Sequence, residues 1–174
     1  MLFLDKSRED LATLFKGKGA EIGVEQGRFS EVIAQHCNKL YCIDAWKAYS
    51  DYKDHQRQEK LDRYYWRTKK RLKPYNVEII RKFSMDAVKD FPDESLDFVY
   101  IDANHDYKHT LEDIVEWSKK VRKGGIVAGH DYIDRPERGE TYKVKEAVND
   151  YCKQYGYDLT IYLKANSPSW MFRK

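Results

Sequence analysis

Residues 20–45 read AEIGVEQGRFSEVIAQHCNKLYCIDA, and the hydrophobic pattern changes twice along them. Residues 20–25 form a β-rich run that enters a turn at Gln26-Gly27. Residues 29–37 follow at helical spacing, with Phe29, Val32, Ile33 and His36 on one face. Residues 39–45 (KLYCIDA) then return to a strand. Two strands joined through a helix form a βαβ unit with parallel strands and a right-handed crossover.

The same alternation continues downstream. Residues 77–83, 96–103 and 125–131 read as further strands. Residues 108–121 read as a helix with Leu111, Ile114, Val115 and Ser118 as its buried stripe, closed by Arg122-Lys123-Gly124-Gly125. After a helix over 144–155 come two strands, 159–164 and 169–173. The turn between them, Asn166-Ser167-Pro168, is too short for a crossover helix, so they should pair antiparallel at one edge. The expected fold is α/β, a Rossmann-like doubly wound, mostly parallel seven-stranded sheet with an antiparallel edge strand. The first eighteen residues supply only one short helix, over 5–15.

Composition narrows the function classes. No run approaches the roughly 20 apolar residues of a membrane span, and the start (MLFLDK) lacks a signal peptide's basic and apolar regions. Cys37, Cys42 and Cys152 are odd in number and have no CxxC spacing, which speaks against a disulfide framework or a zinc knuckle. The expectation is a cytoplasmic protein with no membrane partner.

In such sheets ligands bind beyond the carboxyl ends of the strands. The first of these turns reads Glu21-x-Gly23-x-x-x-Gly27. Glycine lets a ligand approach the main chain closely, while an acidic side chain at position 21 would repel a pyrophosphate and suit an ammonium. Asp44 ends the next strand, 17 residues after Gly27, where it can accept hydrogen bonds from a ribose diol. Together they describe a nucleoside with an amino-acid tail. Taken singly, each also fits a tight turn and a surface acid.

Glu21-x-Gly23-x-x-x-Gly27, Asp44, Ile101-Asp102 and Gly124-Gly125 resemble the successive motifs of class I S-adenosylmethionine-dependent methyltransferases across residues 19–133. Within 98–131, the pattern IDxxHxY…DxxxW…GG…HD is similar to the sugar and macrolide O-methyltransferase branch. The resemblance implies a single methyltransferase domain over 1–174 with S-adenosylmethionine as cofactor. Glu21 and Gly23 would hold its methionine end, Gly27 would pack beneath, Asp44 would bind the ribose, and Ser84 and Met85 would border the adenine. Asp102 would lie closest to the transferred methyl. By likeness to the metal-dependent O-methyltransferases, Asp102, His130 and Asp131 would hold a divalent metal such as Mg²⁺, and His105 would be the catalytic base. A His-Asp pair ending this strand also occurs where no metal is assigned. The family pattern makes Asp113 and Trp117 structural, and Asp106 could orient His105 or His109.

The formal net charge of +3 conceals a division. Residues 46–74 hold ten basic and four acidic side chains, a basic helical insert of net +6 beside a body of −3. From 54 to 72, Leu61, Tyr64, Tyr65, Thr68 and Leu72 share one helical face, while Lys60, Arg63, Arg67, Lys70 and Arg71 share another. Trp46, Tyr49 and Tyr52 precede it. Three readings stand: a solvated helix covering the sheet, a lid meeting an anionic small-molecule acceptor, or a grip on nucleic acid phosphates. The base-methylating motif (N/D)PP(Y/F) is absent, its place reading Asp102-Ala-Asn-His105. The activity expected is O-methylation of a small polar hydroxylated acceptor such as a sugar or nucleotide sugar. Its rivals are a nucleic-acid methyltransferase and a cofactor-binding module without transfer activity. Because the N-terminal segment is short, either the insert or a second subunit of a homodimer would close the acceptor pocket.

Overall fold

A computed structural model describes residues 1–48, 57–137, 140–164 and 167–174, with the backbone alone for 135–137, 140 and 141. Central to it are β2 (Lys18–Ile22), β3 (Lys39–Asp44), β4 (Val77–Arg81), β5 (Leu96–Ile101) and β6 (Val121–Gly129), all parallel in the order β6-β5-β2-β3-β4. Four consecutive residues of β5, Phe98 to Ile101, are at most 4% exposed, as a strand covered on both faces requires. Their side chains alternate between two cores. Phe98 and Tyr100 pack with Phe15, Phe29, Ile33 and Leu72 on one face. Val99 and Ile101 pack with Ile114, Trp117, Val148 and Phe172 on the other.

The first face is covered by α1 (Arg8–Ala12), α2 (Arg28–Ala34) and α3 (Gln58–Leu72), and the second by α4 (Ser84–Ala87), α5 (Tyr107–Lys120) and α6 (Val144–Tyr155). Asp113 and Trp117 of α5 are buried more completely than the expected Leu111 and Val115, which pack half-buried at the core's rim. No helix among the described residues is long and apolar enough to cross a membrane.

Beyond β6 the sheet continues through β10 (Ser169–Arg173), β9 (Thr160–Tyr162) and β1 (Leu2–Leu4). β10 runs antiparallel to both β6 and β9, as the tight connection after β9 demands. The sheet therefore has eight strands, not seven, and the antiparallel strand lies inside its margin. The eighth is β1, parallel to β9 in register Leu2↔Thr160. The N-terminal segment is thus a strand plus a five-residue helix rather than one helix over 5–15. Leu2 and Phe3 are more than half exposed, so their apolar character marks a sheet edge instead of a helix face. A second, two-stranded sheet pairs β7 (Asp134–Glu137) with β8 (Glu140–Lys143).

The basic helix takes an ordinary place in this order. α3 connects β3 to β4, which are parallel neighbours, so it is the crossover of a βαβ unit. Thr68 and Leu72 are buried, Leu61, Tyr64 and Tyr65 half-buried, and Arg63, Trp66, Arg67 and Lys70 exposed. The expected apolar stripe is the one that faces the sheet. Residues 54–56 of the anticipated helix, with Tyr49 and Tyr52 before it and Asn166 of the later turn, lie outside the described residues.

Candidate active site

A cleft of about 660 Å³ opens beyond the carboxyl ends of β2, β3 and β5, lined among others by Gly23, Asp44, Trp46, Ser84, Met85 and Asp102. That volume falls within the range of small-ligand pockets, about 300–1,000 Å³. The three strand ends converge on one glycine. Gly23 N–H donates to Ile43 O at 2.9 Å, and Asp102 N–H donates to Ile22 O at 2.8 Å. Gly23 has φ +85°, and a Cβ there would stand 2.0 Å from Asp102 O. Only glycine allows both the conformation and the approach.

Asp44 organises the next two turns. Its Oδ2 accepts from Val24 N at 3.0 Å and Glu25 N at 2.9 Å, and its Oδ1 accepts from Trp46 N at 2.8 Å. Burial raises its pKa against the pull of these three amides. A carboxylate has about four acceptor positions, so about one remains for a ligand on the cleft side. Glu25 and Trp46 have φ of 52° and 41°, a left-handed conformation costly for side chains of their kind. Trp46 is held there from several directions. Its Nε1 donates to Glu25 O at 2.7 Å, and its carbonyl accepts from Gln58 Nε2 at 3.0 Å and Arg81 Nη2 at 2.8 Å.

Two residues expected at the cofactor's methionine end lie behind the cleft surface. Glu21 is 2% exposed and accepts a hydrogen bond from the Ser30 hydroxyl. Burial pushes its carboxyl up to about 8, so in neutral solution it is mostly protonated, which weakens the ammonium role read from the sequence. Gly27 caps α2, and a Cβ on it would meet Thr68 Cγ2 at 3.1 Å, so it serves the packing of α3.

Ser84 and Met85 open α4 and line the cleft's other wall. The Ser84 hydroxyl donates to Asp113 and accepts from Trp117 Nε1 at 2.8 Å. Burial lifts Asp113 to about 6, and it too reaches the cleft lining. The expected structural pair therefore supports Ser84 directly.

Behind Asp102 on the cleft wall stand His105 and Asp131, from the segments that follow β5 and β6. His105 Nε2 lies 3.1 Å from Asp131 Oδ2 and 3.7 Å from Asp102 Oδ1. The approach is too oblique for an aligned hydrogen bond, and this buried nitrogen has none. Its imidazole stacks on Tyr142 of β8 at 4.5 Å, and its carbonyl accepts from Lys143 N at 2.8 Å. β8 thus fixes His105, a contribution the sequence reading missed. Burial opposes charge on His105, yet Asp102 and Asp131 together raise it to about 9. Asp131, despite its own burial, is held at about 2 by His105 and Ser167.

Asp102, His105 and Asp131 each offer a ligand atom, all within 4.8 Å of one another, a set that could hold a metal ion. This differs from the anticipated Asp102, His130 and Asp131. His130 Nδ1 lies 2.8 Å from Ser169 Oγ, and its Nε2 is 3.9 Å from Asp131. Asp106 is likewise committed. Its carboxylate caps α5 through His109 N and lies 2.6 Å from His109 Nδ1, so it orients His109 and leaves His105 to the two other carboxylates.

The model of a family described as a methyltransferase domain matches residues 20–132. An rRNA methylase of Streptococcus thermophilus superposes with TM-score 0.67 at 16% identity, over 96% of this chain and 93% of that one. An O-methyltransferase of Bacillus cereus in complex with SAH gives 0.65 at 13%, over 96% and 80%. The N-methyltransferase NodS of Bradyrhizobium japonicum gives 0.64 at 15%, over 96% and 94%. One is described as acting on rRNA, one on oxygen and one on nitrogen, so the shared fold does not choose an acceptor. None of the curated proteins compared with the chain matches it.

Proposed function

This chain belongs to the methyltransferase-domain family, and from that premise we propose that it binds S-adenosylmethionine in the cleft and methylates a hydroxyl oxygen of a small polar acceptor, such as a sugar or nucleotide sugar. The observation that carries this is the cleft itself. Gly23 and Asp102 meet on one wall, Asp44 stands on the lining with an acceptor position free, and His105 and Asp131 stand behind Asp102. Gly23 lets the turns after β2 and β5 close on each other, and both it and Asp102 lie on the cleft wall.

When bound, the cofactor supplies a methyl carbon already activated as a sulfonium. The protein's work is to place the acceptor oxygen in line with it and to draw off the hydroxyl proton. Asp44 orients the ribose side, and Ser84, fixed by Asp113 and Trp117, borders the adenine. Asp102, His105 and Asp131 act where the proton leaves. With its pKa near 9, His105 is an imidazolium in neutral solution and has no room for a second proton.

Two carboxylates and an unaligned buried imidazole nitrogen suit a divalent cation such as Mg²⁺ or a more borderline ion. Asp102, His105 and Asp131 would hold it, and it would acidify a nearby hydroxyl. Without a cation, His105 becomes a base as pH approaches 9. Calorimetry with S-adenosylhomocysteine tests the cofactor reading, and absence of binding would sink it. Labelled methyl incorporation across hydroxylated metabolites tests the acceptor class.

One observation favours a second reading. Trp66 is 62% exposed on α3, with Lys69 Nζ 5.0 Å from its ring and Arg63, Arg67 and Lys70 exposed nearby. An exposed indole among cations is a stacking platform for a single-stranded nucleic acid. The lid reading has less support, because α3 is fastened to α2 by Arg71, whose Nη1 lies 2.8 Å from Glu31 Oε2.

A further inference from the structure

Arg8 belongs to none of the cleft motifs, yet it reaches the place where they meet. Its guanidinium carbon lies 4.6 Å over the Phe29 ring, in the first turn of α2. Its Nη1 is 3.9 Å from Asp102 Oδ2, while His105 Nε2 is 3.7 Å from the other oxygen of the same carboxylate. Asp102 thus stands between Arg8 and the imidazole. The Arg8 side chain is 30% exposed.

The backbone that carries it is fixed. Ser7 and Asp10 form a reciprocal capping box, with Ser7 N donating to Asp10 Oδ2 at 2.7 Å and Asp10 N to Ser7 Oγ at 3.3 Å. Leu11 and Phe15, just beyond, are fully buried. The guanidinium is therefore placed by the core on one side and by Phe29 on the other. Its polar neighbours are the buried Tyr100 hydroxyl and two carboxylates. The nearest carboxylates, Glu9 at 3.6 Å and Asp102 at 3.9 Å, are at ion-pair distance and beyond hydrogen-bond length. Five N–H groups on a planar fork, held still, are an arrangement for a carboxylate.

We propose that Arg8 binds the carboxylate of the cofactor's amino-acid tail. This rests on the cofactor reading above and adds a residue to it. A zwitterionic tail needs a cation and an anion side by side. Arg8 and Asp102 supply them within 3.9 Å of each other, where Asp102 reaches the cleft lining beside Gly23. Asp102 would then meet the ammonium in place of Glu21, which is buried and mostly protonated. An acceptor anion is the rival occupant for the same guanidinium.

Calorimetry with two ligands separates these outcomes. S-adenosylhomocysteine carries the tail, and 5′-methylthioadenosine has the same nucleoside without it. Arg8→Met is expected to weaken S-adenosylhomocysteine about 10- to 100-fold, the scale of a lost charge-assisted pair. Methylthioadenosine affinity should change less than about twofold, and this also verifies that the variant is folded. Arg8→Lys should lie between, since a point charge replaces the fork. Equal weakening of both ligands would overturn the proposal, as would unchanged S-adenosylhomocysteine affinity with a raised KM for an anionic acceptor. A wild-type chain that binds neither ligand would overturn the cofactor reading, and this proposal with it.

Discussion

Nε2 of His105 lies 3.1 Å from Oδ2 of Asp131, and each residue holds the other in its charged form. The raised His105 value stabilises the fold fully below its unfolded pKa of about 6.5, and that contribution fades as pH rises through about 9. The depressed Asp131 value contributes above about 4 and is lost as pH falls through about 2. The two shifts share the His105–Asp131 contact and are not additive, with Asp102 adding to the first and Ser167 to the second, and together they amount to on the order of 2 kcal/mol. Thermal melts of the wild type and His105→Gln should differ most between about pH 4 and 6.5, and converge near pH 9. A gap independent of pH would show that the pair contributes packing rather than charge.

The same three residues make a second prediction about cations. Titration with Mn²⁺ or Mg²⁺ should show binding that His105→Asn or Asp131→Asn weakens at least tenfold. His130→Asn should leave it nearly unchanged, because that imidazole is turned to Ser169. A larger loss with His130→Asn would restore the ligand set suggested by the strand-end pattern. Transfer activity that persists in excess EDTA would remove the metal from the reaction.

Which imidazole faces the carboxylates was not legible from position along the chain. The strand ends were. β5 and β6 announce themselves by runs such as LDFVYI and GGIVAG, and both ends carry polar residues where ligands bind. But the direction of His130 is set by Ser169 of β10, and the ring of His105 by Tyr142 of β8. Both partners are more than 35 residues away. The β7–β8 strands, DRPE and ETYK, have no apolar alternation to mark them, and β1 is three residues of exposed edge. The helix α3 was legible as a periodicity. Its role was not, since a crossover is recognised only once β3 and β4 are known to be parallel neighbours.

Gly23 offers a test of the cleft wall. In Gly23→Ala the new Cβ would meet Asp102 O at 2.0 Å, and φ +85° adds strain of about 1–3 kcal/mol. We expect loss of S-adenosylhomocysteine binding and a fall in stability exceeding 2 kcal/mol by denaturant titration. Gly156→Ala is the control. It shares a positive φ of 71°, but its Cβ would meet nothing within 4 Å, so only about 1 kcal/mol should be lost and binding should survive. Equal effects would mean that Gly23 is needed for its backbone angle alone.

Asp44 should behave as an organiser of the cleft before it is a ligand contact. Asp44→Ala strands the amides of Val24, Glu25 and Trp46, although the carbonyls of the same turns keep their own partners. Stranded donors cost roughly 1–3 kcal/mol each where water cannot replace the partner. The expected loss is at least about 2 kcal/mol, with cofactor affinity down tenfold or more. Asp44→Asn keeps one acceptor oxygen and should recover part of the stability. Unchanged melting in the Ala variant would show that the turns at Glu25 and Trp46 hold themselves.

The outer face of α3 gives the prediction that separates the two acceptor classes. Trp66 is 62% exposed, so Trp66→Ala should alter stability by no more than about 0.5 kcal/mol. Arg63 and Lys70 are exposed beside it, whereas Arg67 and Arg71 are tied to Gln26 and Glu31. For a small hydroxylated acceptor, Trp66→Ala combined with Arg63→Gln and Lys70→Gln should leave turnover within about twofold. The cleft is lined from the opposite side of the helix, by Leu61 and Tyr64. A nucleic-acid acceptor would lose affinity in this variant by tenfold or more, with a shallower dependence on salt because two phosphate contacts are gone. Fluorescence anisotropy with a labelled oligonucleotide, read at two salt concentrations, decides between them. We expect weak binding by the wild type and no effect of the variant on transfer to the small acceptor.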